Sequence, residues 1–92
     1  MIFIEINFDD ITKYSLIIID IRDNSSYKIK HLKKAINIPF TNLLINPSKY
    51  LDKNKTYLLV CEYGIKSKKT SEILNRQGFH TFSLKNGLKG LT

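Results

Sequence analysis

Residues 56–67 read TYLLVCEYGIKS, and this stretch decides the class of fold. Residues 56–61 are nearly continuous in apolar and β-branched side chains, which is typical of a strand that is covered on both faces. Gly64 permits a tight bend after that strand, and Ser67 is a good N-cap for a helix predicted over residues 67–77. A buried strand that leads through a short loop into a helix indicates a parallel α/β sheet.

The rest of the chain repeats this alternation of strands and helices. Further strands are predicted at residues 2–6, 16–21, 35–38 and 81–84, and further helices at residues 9–14, 25–30 and 47–51. The helix at 67–77 is expected to bury a face that comprises Thr70, Ile73, Leu74 and Gln77, and to end at Gly78. We therefore predict a single three-layer α/β domain over residues 1–92, with a central parallel sheet and helices on both faces.

Composition places the chain among small globular proteins. With 92 residues, of which 42% are apolar, it has room for one core and is not a disordered chain. Because Cys61 is the single cysteine, the chain forms no intramolecular disulfide, which fits a reducing compartment. The N-terminal segment MIFIEINFDD lacks the basic start of a signal peptide, and no apolar run is long enough to span a membrane. We expect a cytoplasmic protein without a membrane partner.

The net charge of +7 raises the question of nucleic-acid binding. Only Arg22 and Arg76 of the 15 basic residues are arginine, whereas bidentate contacts to phosphate and guanine favour arginine. The lysines are also scattered along the chain instead of forming one basic segment. We therefore expect no nucleic-acid partner. One cysteine and two distant histidines give no usual metal-ligand spacing, so no metal site is expected.

Two polar residues end buried strands, at the edge of the sheet where sites form in parallel α/β folds. Asp20 follows the run LIII, and Cys61 follows YLLV. A loop that opens a helix aims several backbone N–H groups at one point, and such amides together with nearby cations favour a thiolate. Lysines 66, 68 and 69 supply the cations. Two interpretations remain open: Cys61 is a nucleophile with an exposed sulfur, or it is a small buried hydrophobe.

Two longer segments resemble the rhodanese family. Residues 16–40, LIIIDIRDNSSYKIKHLKKAINIPF, are similar to its first signature, in which a buried strand ends in Asp and Arg and a later His leads to an AINIPF-type strand. Residues 56–91 are similar to its second, a strand followed by a CxxGx(R/K)S loop, a helix, GF and a final strand. The resemblance implies a five-stranded parallel sheet between helices.

The resemblance also implies sulfur transfer without a cofactor. The Cys61 thiolate would take the outer sulfur of a small anionic donor such as thiosulfate, or of a persulfide, hold it as a persulfide, and pass it to cyanide or to a thiol, including a protein thiol. Lys66 would meet the anionic donor. The anion cradle that the resemblance implies comprises Glu62, Tyr63, Gly64, Ile65, Lys66 and Ser67.

Four positions depart from the family's usual pattern. Lys30, Lys34 and Asn86 stand where glycine is usual, and Leu91 stands where an aromatic residue is usual. We expect these departures to affect turns and C-terminal packing and not the cysteine loop.

Asp20 and Arg22 are candidates for a supporting role. They point to the same side of the strand end, so they either orient the cradle from the neighbouring strand or form an ion pair that fixes the next turn.

Two other function classes compete with sulfur transfer. A non-catalytic module on the same fold would bind an acidic partner through its basic surface. Phosphatase chemistry on this fold needs a C-x5-R loop, and Ser67 stands where that arginine would be. The sequence therefore disfavours phosphatase activity.

Overall fold

The computed structural model describes residues 4–91, which form a five-stranded parallel sheet. The strands are β1 (Glu5–Ile6), β2 (Ile17–Asp20), β3 (Ile36–Asn37), β4 (Thr56–Val60) and β5 (His80–Leu84). Their spatial order is β1-β5-β4-β2-β3, and every neighbouring pair is parallel. The predicted α/β class and parallel sheet are confirmed. Residues 2 and 3 of the first predicted strand lie outside the described residues.

Helices cover both faces of the sheet. They are α1 (Asn24–Ile29), α2 (Phe40–Ile45), α3 (Pro47–Tyr50) and α4 (Ile65–Arg76), with short 3₁₀ helices at Phe8–Lys13 and Leu88–Leu91. The helix predicted at residues 9–14 is therefore a 3₁₀ helix. Helix α2 and the second 3₁₀ helix have no counterpart in the sequence prediction. Helix α2 follows Pro39 without a side-chain cap, so its start carries no local signal. No helix among residues 4–91 has the length and apolar character needed to cross a membrane.

The central strand β4 is buried on both faces, which explains its continuous apolar run. Successive side chains of a strand point to opposite faces. Leu59 packs in the cluster that includes Leu43 of α2 and Leu74 of α4. Leu58 packs in the cluster on the other face, against which residues of both 3₁₀ helices also pack. The cysteine loop therefore starts from the most enclosed strand of the fold.

Helix α4 begins two residues earlier than predicted. Its N-cap is Gly64 in the left-handed conformation, with φ of +86°, and Ser67 is not its cap. The buried face consists of Ser67, Thr70, Ser71 and Leu74, whereas Ile73 and Gln77 are exposed. The expected face is confirmed at Thr70 and Leu74 and wrong at Ile73 and Gln77. Three of the four buried side chains are small and polar, so apolar periodicity does not mark them.

Candidate active site

The Cys61 sulfur accepts hydrogen bonds from the loop that joins β4 to α4. The backbone N–H groups of Gly64 and Ser67 donate to Sγ at 3.1 and 3.3 Å. The left-handed conformation of Gly64 turns the chain so that these amides converge. Of the two interpretations of Cys61, the structure contradicts the one with an exposed sulfur, because the residue is only 4% exposed and packs in the buried cluster that includes Leu59 and Leu74. Cys61 directly follows β4 and is also one of the residues that line a pocket.

A buried pair of hydroxyls continues the contacts of this sulfur into the protein. The Cys61 thiol donates to Ser67 Oγ at 3.2 Å, and Ser67 Oγ lies 2.5 Å from Ser83 Oγ. These hydrogen bonds occupy the Ser67 hydroxyl, and α4 has already begun at Ile65, so Ser67 is inside the helix and does not cap it. Ser83 lies on β5, next to β4 in the sheet, and no sequence motif marked it.

The carbonyl groups of the cysteine loop are held by the C-terminal 3₁₀ helix. The N–H groups of Leu88 and Lys89 donate to the carbonyl oxygens of Cys61 and Glu62, both at 2.9 Å. Gly87 packs directly against the same two carbonyls. These contacts fix the orientation of the first peptides of the loop. The turn that contains Gly87 therefore contacts the cysteine loop, which the sequence did not indicate, and the atypical residue Asn86 directly precedes Gly87.

Two of the atypical positions adopt the left-handed conformation that glycine tolerates best. Lys34 has φ of +68° and Asn86 has φ of +64°. Asparagine enters this region more readily than lysine because its short polar side chain can hydrogen-bond locally. The family's usual glycines thus have a conformational reason at both positions. Lys30 has an extended backbone, and its carbonyl oxygen accepts a hydrogen bond from Arg22 at 2.6 Å.

Asp20 and Arg22 form an ion pair that reaches the cysteine loop. Arg22 Nε donates to Asp20 Oδ1 at 3.0 Å, and its Nη2 donates to Oδ2 at 2.8 Å. The hydrogen bonds to the Asp20 carboxylate raise the pKa of Arg22 above its ordinary value. The remaining nitrogen, Nη1, lies 3.4 Å from Glu62 Oε2. The pair therefore connects the end of β2 to the residue that follows Cys61, and both alternatives for its role have a geometric basis.

A pocket of about 810 Å³ opens beside Cys61. Its cationic side chains include Lys66 and Lys69, and the Lys66 ammonium lies 4.1 Å from the ring centroid of Phe40. Lys68 is not among the lining residues and pairs with Glu5 at 3.7 Å. The expectation that Lys68 supplies a cation to the site was therefore wrong. The apolar wall of the pocket includes Phe40, Leu44, Tyr63, Ile65 and Ile73.

The structure brings the predicted loop residues and Asp20 with Arg22 to the same edge of the sheet. It adds four residues that the sequence did not indicate, which are Phe40, Ser83, Leu88 and Lys89. Ser83 lies in the strand predicted at residues 81–84, but a serine in a strand does not by itself indicate a site residue. The other three come from the two helices that were not predicted.

The protein is a parallel α/β domain whose one cysteine lies at the carboxyl end of the central strand. Backbone amides at the start of a helix donate hydrogen bonds to the sulfur of this cysteine. These features together define a class of α/β domains with a cysteine loop. The rhodanese-like domain model matches residues 8–92, and the chain belongs to that family.

Comparison with known proteins agrees with this assignment. The chain is 32% identical over 80 residues to the thiosulfate sulfurtransferase GlpE of Coxiella burnetii, covering 86% of this chain and 74% of that protein. The crystal structure of SSP1007 from Staphylococcus saprophyticus has a TM-score of 0.85 at 19% identity and covers 96% of this chain and 92% of that one. A rhodanese-like domain protein from Staphylococcus aureus has a TM-score of 0.81 at 22% identity, covering 91% and 86% of the two chains. Both structural matches support the fold.

Proposed function

We propose that this protein is a sulfurtransferase that moves sulfane sulfur from thiosulfate or a persulfide to a thiol or cyanide through a persulfide on Cys61. The observation that carries the proposal is the pair of amide hydrogen bonds from Gly64 and Ser67 to Sγ. Membership of the rhodanese-like domain family and similarity to a protein named as a thiosulfate sulfurtransferase support it.

The reaction consists of two displacements at sulfur. With thiosulfate, the Cys61 thiolate attacks the outer sulfur, the S–S bond of the donor breaks, and sulfite leaves with the bonding electron pair. The product is an anionic persulfide on Cys61. Cyanide then attacks the outer persulfide sulfur, thiocyanate leaves, and the thiolate is restored. Neither step with these substrates requires a proton, so the site needs donors that stabilise negative charge and no general acid or base.

The loop has the donors that this chemistry requires. Hydrogen bonds to a charged acceptor contribute about 1.5–3 kcal/mol each, so the Gly64 and Ser67 amides together favour an anionic sulfur substantially. The amides of Ile65 and Lys66 belong to the first turn of α4, where N–H groups have no intrahelical acceptor. They are available to an incoming donor or to the outer sulfur.

The charges around the pocket are compatible with an anionic donor. Glu62 is the acidic residue of the cysteine loop, and Arg22 lies 3.4 Å from its carboxylate, which offsets its repulsion of an anion. Lys66 and Lys69 line the pocket. Its volume of about 810 Å³ also leaves room for a donor or acceptor larger than thiosulfate.

Sulfur loading tests the proposal directly. Incubation with thiosulfate or an alkyl persulfide, followed by intact-mass spectrometry, should show the added mass of one sulfur atom, and cyanide should remove it. Cys61→Ser should show no adduct while retaining its circular dichroism spectrum. An unmodified wild-type protein with both donors would overturn the proposal.

The role of Lys66 is tested by changing the charge of the reagent. Lys66→Gln should slow loading from dianionic thiosulfate more than alkylation by neutral iodoacetamide, because the lysine acts on the charge of the donor. Lys68→Gln is the matched control, since Lys68 is on the same helix but pairs with Glu5 outside the pocket. Equal effects of the two substitutions on thiosulfate loading would contradict this role.

A non-catalytic binding or regulatory module is the second candidate. Exposed apolar side chains next to the pocket favour it, since Tyr63 and Ile65 are 63% and 66% exposed. This alternative predicts that Cys61→Ser complements a deletion strain as well as the wild type does. Loss of complementation together with loss of sulfur loading would exclude it.

A further inference from the structure

Ser83 is a buried hydroxyl behind the cysteine loop. It is fully buried on β5, and its Oγ lies 2.5 Å from Ser67 Oγ. Ser67 Oγ in turn lies 3.2 Å from Cys61 Sγ. Within residues 4–91, Ser67 is the hydrogen-bond partner of the Ser83 hydroxyl. The three atoms form a chain with two links, which we call the hydroxyl relay: Cys61 Sγ, Ser67 Oγ and Ser83 Oγ.

The number of protons in the relay distinguishes the two forms of the cysteine. A thiol and two hydroxyls carry three protons, but the relay has only two links, so one buried proton has no acceptor within it. A thiolate and two hydroxyls carry two protons for the same two links. Ser83 then donates to Ser67, and Ser67 donates to the sulfur. Around the thiolate, therefore, neither buried hydroxyl lacks an acceptor, whereas around the thiol one proton must find an acceptor outside the relay, and the pocket beside Cys61 is where the thiol proton can do so.

We propose that Ser83 is a positioning residue that directs the Ser67 hydroxyl toward the Cys61 sulfur and thereby favours the thiolate. The hydroxyl of Ser83 does not contact substrate. It acts by occupying the acceptor side of Ser67, so that the Ser67 proton points at Sγ. The inference rests on the proposed function only in that it concerns the same nucleophile.

The charged groups that face Cys61 are the same in the wild type and in Ser83 variants. The charged residues that line its pocket are Arg22, Asp23, Glu62, Lys66 and Lys69, Tyr63 is a further titratable residue there, and Asp20 lies behind Arg22. From α2, Phe40 and Leu44 line the pocket, and from β5 the relay contributes Ser83. A change in the pH dependence of Cys61 reactivity on substitution of Ser83 would therefore report on the relay.

The test is the alkylation rate of Cys61 by iodoacetamide as a function of pH, which reports on one site because the chain has one cysteine. Ser83→Ala should move the midpoint of the profile to higher pH and slow alkylation below that midpoint by about three- to tenfold. Ser83→Thr retains the hydroxyl and should restore most of the rate. Ser71→Ala is the matched control, because Ser71 is equally buried on α4 and its Oγ has no hydrogen-bond partner within residues 4–91.

A second measurement separates the relay from a loss of packing. Ser67→Ala should shift the profile in the same direction, and Ser83→Ala should add nothing in that background, because the link to sulfur is already absent. An unchanged profile for Ser83→Ala, a shift equal to that of Ser71→Ala, or additive effects of the two relay substitutions would overturn the inference. Iodoacetamide carries no sulfur, so a shifted profile in a protein that accepts no sulfane sulfur would refute the proposed function and leave the relay intact.

Discussion

Gly87 offers a sharp test of how the C-terminal turn supports the cysteine loop. Its φ is +61°, and a Cβ atom added to it would lie 2.5 Å from the carbonyl carbon of Glu62 and 2.6 Å from the carbonyl oxygen of Cys61. Real Cβ atoms do not approach backbone so closely, so Gly87→Ala must displace the loop or the turn. We expect it to lower both stability and Cys61 reactivity.

The magnitude follows from two contributions. An L-residue in the left-handed region loses about 1–2 kcal/mol, and removing the extra freedom of glycine in the unfolded chain returns about 0.5–1 kcal/mol. Relief of the clash would also weaken the hydrogen bonds of 2.9 Å from Leu88 and Lys89 to the loop carbonyls. Leaving such groups without partners destabilises by about 1–2 kcal/mol each. The total for Gly87→Ala is therefore about 2–5 kcal/mol.

Gly78→Ala is the matched control because it shares the backbone penalty without the clash. Gly78 has φ of +93°, and the three atoms nearest to its added Cβ all belong to the flexible Lys53 side chain, the closest at 3.4 Å. We expect this control to lose about 0.5–1 kcal/mol. Urea denaturation measures both values, and iodoacetamide alkylation measures the loop. Equal losses of stability in the two variants, or wild-type alkylation in folded Gly87→Ala, would refute the reasoning.

Three further substitutions test other parts of the fold. Lys34→Gly should raise the free energy of unfolding by about 0.5–1 kcal/mol by relieving a φ of +68°, whereas Lys33→Gly should lower it; thermal unfolding of both variants checks this. Asp20→Asn should lower the free energy of unfolding by about 2–4 kcal/mol in urea titration, because it breaks the buried ion pair with Arg22; a loss no larger than that of an exposed pair would contradict it. Hydrogen bonds from Ser26 lower the pKa of Asp23 below 3.8, so the stabilisation by this carboxylate is present above pH 3.8 and is lost as pH falls through the lower folded value. Asp23→Asn retains a capping side chain but should lose less stability than the wild type does as the pH falls through this range. The same pH dependence of stability in the variant and in the wild type would contradict this role of the Asp23 carboxylate.

Local patterns predicted most of the architecture. The apolar run that ends at Cys61 indicated a doubly covered strand, and the structure has β4 there at the centre of the sheet. The motif resemblance predicted the family, which the family model confirms over residues 8–92. The covered strand and the family motifs could be predicted from the sequence because they depend on residues close together in the chain.

Elements without a local signal were missed. Helix α2 starts after Pro39 without a side-chain cap, and it is held by the burial of Leu43 against the sheet. The start of α4 was misplaced because Ser67 resembles a cap in sequence, whereas its hydroxyl contacts Cys61 and Ser83 in the structure. For α2 a contact distant in sequence supplied what no local signal indicated, and for Ser67 such a contact, with Ser83, outweighed the local preference.

The sequence by itself determined the alternation of strands and helices, the family, and the position of Cys61 at the carboxyl end of a buried strand. Only the tertiary structure decided which groups surround that sulfur. The register between β4 and β5 brings Ser83 within reach of Ser67, and the C-terminal turn brings Gly87 and its neighbours against the loop carbonyls. These partners are distant along the chain, and sheet order and turn geometry, which arise from packing the whole domain, bring them together.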